Sequence, residues 1–335
     1  RLEQLIMAVK LVYASTYLKA PRSYAKSTMH RTEDEEMAVV LQQLTGMAYN
    51  NYFYPSISGV AQSYNFYPIS HLKAEEGVTY IALGLGKIVM EGGRTIRFCP
   101  KYPQFLPQFS VLDDILENSQ KYFYALKLDQ SMGDEKAIST SNEDLTLEKL
   151  DLSDATDHPV VRFLSSTYYA QDNRIRDSFS NKGFPVLTFA NILKYNSFPL
   201  AKLLEEVTKI GSKWMGASVE VEFAVNLPED EKLKPQFSLL QIRPMGRYKQ
   251  NMGVKIGKKE IKEAFGYSTL SLGNGEYNDI HDVVYVDPET FDPGKTMEIA
   301  GEINKINALF NGNGKQYVLI GPGRWGSSDR WLGIP

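Results

Sequence analysis

Apolar residues at the start of the chain recur at helical spacing. Leu2, Leu5, Ile6, Val9, Val12 and Tyr13 predict a helix over 1–20. A polar segment follows, and "MAVVLQQL" (37–44) then reads as a short strand ending in two glutamines. "SISGVAQSYNFYP" (56–68) is a second strand closed by a proline. "GVTYIALGLGKIVMEGG" (77–93) joins a strand to a turn and a helix ending at Gly92 and Gly93. Between 101 and 184 the pattern is mixed, and the acidic, Ser/Thr-rich stretch 129–157 reads as an exposed excursion. "FPLAKLLEEVTKIGSKWMG" (198–216) predicts a helix with Leu200, Leu203, Leu204 and Val207 on one face.

Two strands come next. "SVEVEFAV" (218–225) and "FSLLQIRP" (237–244) flank the charged connector "NLPEDEKLKPQ". The texture then changes: a β-rich piece, one helix (296–310) and a final strand (316–322) fill the remainder. This places a boundary near residue 247, with regions 1–247 and 248–335, and an α+β class overall. Strands and helices are interspersed without any internal repeat.

Composition narrows the picture only modestly. The chain has 335 residues, 43% hydrophobic and 23% charged, as in ordinary soluble proteins. The net charge of -3, with no long basic tract, recommends neither nucleic acid nor an anionic membrane as partner. Cys99 stands alone, which excludes an intrachain disulfide and any multi-cysteine metal site and fits a cytoplasmic setting. No apolar run approaches the roughly 20 residues that span a bilayer. Opening on Arg1 inside a helical pattern and stopping at Pro335 in an apolar stretch, the sequence reads as a fragment, truncated at both ends.

The stretch "YVLIGPGRWG" (317–326) runs a strand into Gly321, Gly323 and Gly326, the spacing of a dinucleotide-binding turn. Such a turn also needs a helix opening on its last glycine and an acidic residue roughly 20 positions on. Pro322 and the aperiodic "RWGSSDRWLGIP" argue instead for a strand-to-loop turn whose glycines supply positive φ.

The strand pair carries more chemistry. Alternation puts Glu220 and Glu222 on one face and Val219, Val221 and Phe223 on the other. It likewise groups Gln241 with Arg243, opposite Leu240 and Ile242. Paired as a hairpin, the strands collect two carboxylates, an amide and a guanidinium on a single face. Adjacent carboxylates call for a cation or an arginine. Such hard oxygen ligands suit Mg²⁺ completed by water and nucleotide phosphate. Arg243 can contact phosphate or brace a carboxylate. The plainer reading is a solvated hairpin face with cross-strand charge pairs.

"MAVVLQQL", "SISGVAQSYNFYP", "IALGLGKIVMEGG", "VEVEFAV" and "LLQIRPM" follow in an order that resembles the nucleotide-binding module of phosphoenolpyruvate synthases and pyruvate phosphate dikinases. The likeness covers about 1–247, the later part of that module, and implies an ATP-grasp-like fold binding ATP and Mg²⁺. It implies that Gln42, Gln43 and Leu44 meet the adenine and that Glu220 and Glu222 are the paired acids near metal and triphosphate. Gln241 becomes a metal or phosphate contact, and Arg243 the catalytic residue beside the phosphates. Ser63 stands where the family often has threonine. In these enzymes ATP phosphorylates a histidine on a separate domain, which passes the group to pyruvate, so nucleotide and pyruvate or phosphoenolpyruvate are the implied partners. A homodimer stays open.

Two departures stand beside the likeness. Lys87 replaces an acidic residue after "GLG", so the site either gains a phosphate-binding cation or has drifted. The four histidines, His30, His71, His158 and His281, lie outside a phosphohistidine carrier context and read as surface or structural. Two alternatives therefore remain: a non-catalytic nucleotide-sensing or interaction module, and a dinucleotide oxidoreductase built on Gly321–Gly326.

Overall fold

The computed structural model describes residues 2–15, 17, 38–128, 147–230, 232–245, 256–268, 277–312, 315–327 and 332–335. Its helices are α1 (Leu2–Ser15), α2 (Lys87–Met90), α3 (Leu112–Asn118), α4 (Pro159–Leu164), α5 (Ala190–Leu193), α6 (Leu200–Met215), α7 (Lys258–Glu263) and α8 (Thr296–Gly312). The first seven strands are β1 (Met47–Tyr49), β2 (Tyr52–Tyr54), β3 (Ile57–Gln62), β4 (Val78–Ala82), β5 (Ile96–Phe98), β6 (Tyr122–Lys127) and β7 (Leu147–Asp151). The others are β8 (Ser165–Tyr169), β9 (Arg174–Arg176), β10 (Phe184–Leu187), β11 (Val219–Asn226), β12 (Gln236–Pro244), β13 (Asp282–Tyr285) and β14 (Tyr317–Ile320). This mixture is the α+β class expected. Among the described residues, no helix is long and apolar enough to cross a membrane.

The sheet that organises the molecule is antiparallel, in the order β12-β11-β3-β4-β5. Its strands form because β-prone side chains alternate with polar ones, leaving one face apolar apart from the buried Thr79. Val219, Val221, Phe223 and Val225 of β11 are buried on that face with Ile57, Ala61, Ile81 and Ile96. Helix α6 closes over it through the buried Leu200 and Leu204, with Leu203 and Val207 packed alongside. Gly211 lets the helix approach this closely. A Cβ there would stand 2.4 Å from Ile242 and 3.2 Å from Val219.

A second antiparallel sheet, β1-β2-β6-β7, supplies Tyr54, Phe123 and Ala125 to the same core. A third, β10-β8-β9, adds Leu187. The excursion expected over 129–157 divides: 129–146 lie outside the described residues, whereas 147–151 form β7, and Leu152 and Ala155 are buried. The local composition is polar, but the segment finds a partner: Leu147–Asp151 pair antiparallel with Tyr122–Leu126 of β6. The boundary expected near 247 falls on 246–255, outside the described residues. Beyond it, β13 and β14 pair in parallel, with α8 in the connection between them.

One buried polar cluster sits in this core. The His158 ring stacks on Tyr49 at 5.4 Å; its Nδ1 lies 2.6 Å from the Tyr54 hydroxyl and its Nε2 3.4 Å from the Asn50 amide. An amide donating to Nε2 leaves Nδ1–H to donate to Tyr54, which is a neutral imidazole. Burial pushes the His158 pKa down, with Asp157 opposing. The unfolded chain therefore binds a proton more readily. The stability that the neutral ring provides is complete above about pH 6.5 and is lost as pH falls below it. We expect the melting temperature to drop by a few degrees between about pH 7.5 and about pH 5.5, and His158→Gln to flatten that slope. An equal slope in the variant would assign the acid sensitivity to other groups.

Candidate functional site

The polar face of the central sheet is built in rows set by strand register. One row runs Arg243 on β12, Glu220 on β11, Gln62 on β3 and Val78 on β4. The next runs Gln241, Glu222, Val60 and Tyr80. The four side chains expected to share a face do share it, because β11 and β12 pair across a short local connection.

Local alternation misplaces one neighbour. The register shifts between Glu222 and Phe223, so Leu240 is an extra residue in β12 instead of a partner on the apolar face beside Ile242. A bulge of this kind re-aims side chains at a site. Here Leu240 lines a cleft of about 520 Å³ together with Gln241 and Glu222.

The opposite wall of that cleft comes from residues 40–45. They were expected to form a strand, but 38–46 carry none; the first strand begins at Met47. The segment lies across the cleft from β12, tied to it by the Gln42 amide donating to the Leu240 carbonyl at 3.4 Å. With no strand pairing, the backbone groups of Gln42, Gln43 and Leu44 make no backbone hydrogen bond among the described residues. Leu85, Gly86, Val89 and Met90, from the loop before α2 and α2 itself, complete an apolar lining with Val40, Leu44 and Val60.

Electrostatics divide the two carboxylates. Glu220 Oε1 accepts from Arg243 Nε at 2.8 Å and also from Arg243 Nη2, while its Oε2 accepts from Gln62 Nε2 at 2.7 Å. The hydrogen bonds from Arg243, then the charge of Glu220, raise the guanidinium pKa further. Glu222, half-buried and lining the cleft, makes no hydrogen bond or ion pair among the described residues. Its carboxylate, facing Gln241 across the strands, is the available oxygen donor for a cation.

Thus the cleft gathers Gln42, Gln43, Leu44, Glu222 and Gln241. Glu220 and Arg243 lie one row away on the same face. Lys87 stands next to the lining residue Gly86, within 3.6 Å of Glu91 and over the Tyr124 ring at 5.2 Å. Ser63 has a local task outside the lining: its hydroxyl accepts from the Val219 amide at 2.8 Å and continues the β3/β11 ladder. Gln62 escaped the reading of the sequence. The alternation of Ser58, Val60 and Gln62 marks their shared face, but nothing local reveals that β3 pairs with a strand 158 residues later.

The carboxylate and amide present fit Mg²⁺, which takes one or two protein oxygens and completes its shell with water and phosphate. Among the described residues no group of three or more His, Cys, Asp or Glu could form an all-protein metal cage. The Gly321–Gly326 turn is different in kind. Gly323 and Gly326 have φ of 75° and 71°, and Arg324 and Gly326 hydrogen-bond back to Leu332 and Ile334. No helix opens on that turn among the described residues.

Residues 1–264 match the family described as "Pyruvate phosphate dikinase, AMP/ATP-binding domain". A search of curated proteins finds no significant match. The matched span runs from α1 through the β11/β12 hairpin to α7, past the boundary expected at 247. Such a module is ATP-grasp-like and binds ATP or AMP. With more than three quarters of its length inside the match, this chain belongs to the pyruvate phosphate dikinase AMP/ATP-binding domain family.

Proposed function

We propose that the cleft binds ATP with Mg²⁺ and that the chain is the nucleotide-binding portion of an enzyme carrying phosphate from ATP to pyruvate through a phosphohistidine on another domain. The observation that carries this reading is the Glu222 carboxylate, set opposite Gln241 in the cleft and without a hydrogen bond or ion pair among the described residues, where the backbone of residues 42–44 likewise makes no backbone hydrogen bond. Backbone N–H and C=O groups at that wall suit a purine edge, and the apolar lining suits its faces. The polar rows of the sheet then take the triphosphate.

Within that arrangement Glu222 and Gln241 would hold Mg²⁺. The ion, when bound, shields the phosphate oxygens and neutralises charge that builds up on them. Arg243, fixed by Glu220, presents its remaining donors to phosphate oxygens, where a planar guanidinium binds well. The apolar wall excludes water from around the nucleotide, which strengthens each of these contacts.

The test uses the protein at its native full length. Calorimetric titration should give ATP binding that needs Mg²⁺, and addition of pyruvate should produce AMP and phosphoenolpyruvate. ATP binding without pyruvate-dependent AMP would move the reading to a nucleotide-sensing module. A folded protein that binds no ATP would end it.

A further inference from the structure

We propose that Gln62 is a positioning residue of this cleft, holding Glu220 in place as the anchor of Arg243 and away from the cation. The inference rests on the nucleotide reading above for its effect on ATP, and on geometry alone for its effect on Arg243.

Three side chains lie in one row across three strands, Arg243, Glu220 and Gln62. Both oxygens of the central carboxylate are engaged, one by the guanidinium and the other by the Gln62 amide at 2.7 Å. That carboxylate side chain is only 15% exposed, so water does little to replace a lost donor. Beyond Gln62 the row continues to Val78, which offers no side-chain polar group. Nothing else in the row can take over the second oxygen.

The backbone of Gln62 is itself clamped. Immediately after it, Ser63 bonds to Val219 through both its amide and its hydroxyl. On the other side Gly77, at φ 74°, brings its backbone so close that a Cβ would stand 2.4 Å from the Gln62 carbonyl oxygen. A side chain rooted this firmly can hold a carboxylate in a single orientation.

The chemistry of the amide matters as much as its place. A lysine here would form a second ion pair and compete with Arg243 for Glu220. A neutral amide makes a charge-assisted hydrogen bond and leaves the negative charge to the guanidinium. Without it, Glu220 is free to turn toward the cation that Glu222 serves, two residues along the same face. Arg243 would then lose its fixed direction.

Gln62→Leu removes the donor at similar volume. The first readout needs no nucleotide: the Arg243 Nε–H resonance, assigned by its loss in Arg243→Lys. Its exchange with solvent should be slow in the wild type and several-fold faster in Gln62→Leu. Unchanged exchange overturns the proposal, whatever the protein does with ATP.

The second readout is affinity for ATP in excess Mg²⁺. Gln62→Leu should weaken it by about tenfold, as loss of an outer-shell partner does. In a Glu220→Gln background the same substitution should have no further effect. An equal loss in both backgrounds would make the role of Gln62 merely structural and overturn the proposal. Faster Arg243 exchange in a protein that binds no ATP would uphold the positioning and refute the nucleotide reading.

Discussion

Replacing Glu222 by alanine should weaken Mg²⁺-dependent ATP binding more than any other single change on the polar face of the sheet. Loss of an outer-shell partner costs 10- to 100-fold in metal affinity, so loss of a direct oxygen ligand should exceed about 100-fold. The side chain makes no hydrogen bond or ion pair among the described residues, so its removal orphans nothing. Thermal stability should therefore change by less than about 1 kcal/mol, within the usual range for a substitution away from packed or paired groups. Glu220→Gln should behave differently. Its two oxygens hold Arg243 and Gln62, and the damage there falls on the orientation of the guanidinium. The measurement is ATP titration at varied Mg²⁺, beside a melting curve. Wild-type affinity in Glu222→Ala would remove the metal from this strand, and a collapsed melting curve would show the residue to be structural.

The contrast between those carboxylates shows how far the sequence could be read. Their shared face follows from strict alternation in "VEVEF", and their opposition to Gln241 and Arg243 follows from a hairpin closed by a short loop. Both are local facts. The bulge at Leu240 is not: one extra residue changes the face of a side chain without changing the composition of the strand. Likewise "MAVVLQQL" has the residues of a strand, yet 38–44 join no strand among the described residues, and Val40, Gln42, Gln43 and Leu44 line the cleft instead. Strand propensity measures how well side chains pack on a pleated surface, and here the cleft intervenes between segment and sheet. The difference in roles between Glu220 and Glu222 depends on Gln62, brought in by β3 from far along the chain. Spacing along one sequence carries no trace of such a pairing.

The floor of the site makes the largest demand on stability. Phe223 is 1% exposed and stacks on Phe237 with ring centres 5.5 Å apart. In register it faces Gly59, whose missing side chain makes room for the ring: a Cβ there would stand 2.6 Å from Phe223 Cζ and 2.4 Å from the Tyr80 carbonyl oxygen. Because the backbone of β4 stands so close, β3 cannot settle inward when the ring is removed. Phe223→Ala should therefore leave its cavity largely open, at a cost of about 3–5 kcal/mol. Against a typical total of about 5–15 kcal/mol, that threatens the fold itself. Phe223 and Gly59 also line the cleft, so a surviving variant should bind ATP less tightly. Chemical denaturation should show a lower midpoint at an unaltered slope. Phe223→Leu should recover most of the loss, since it refills the space with apolar volume. A Phe223→Ala protein as stable as the wild type would mean that the sheet closes over the gap, contrary to the tight β3–β4 approach at Gly59.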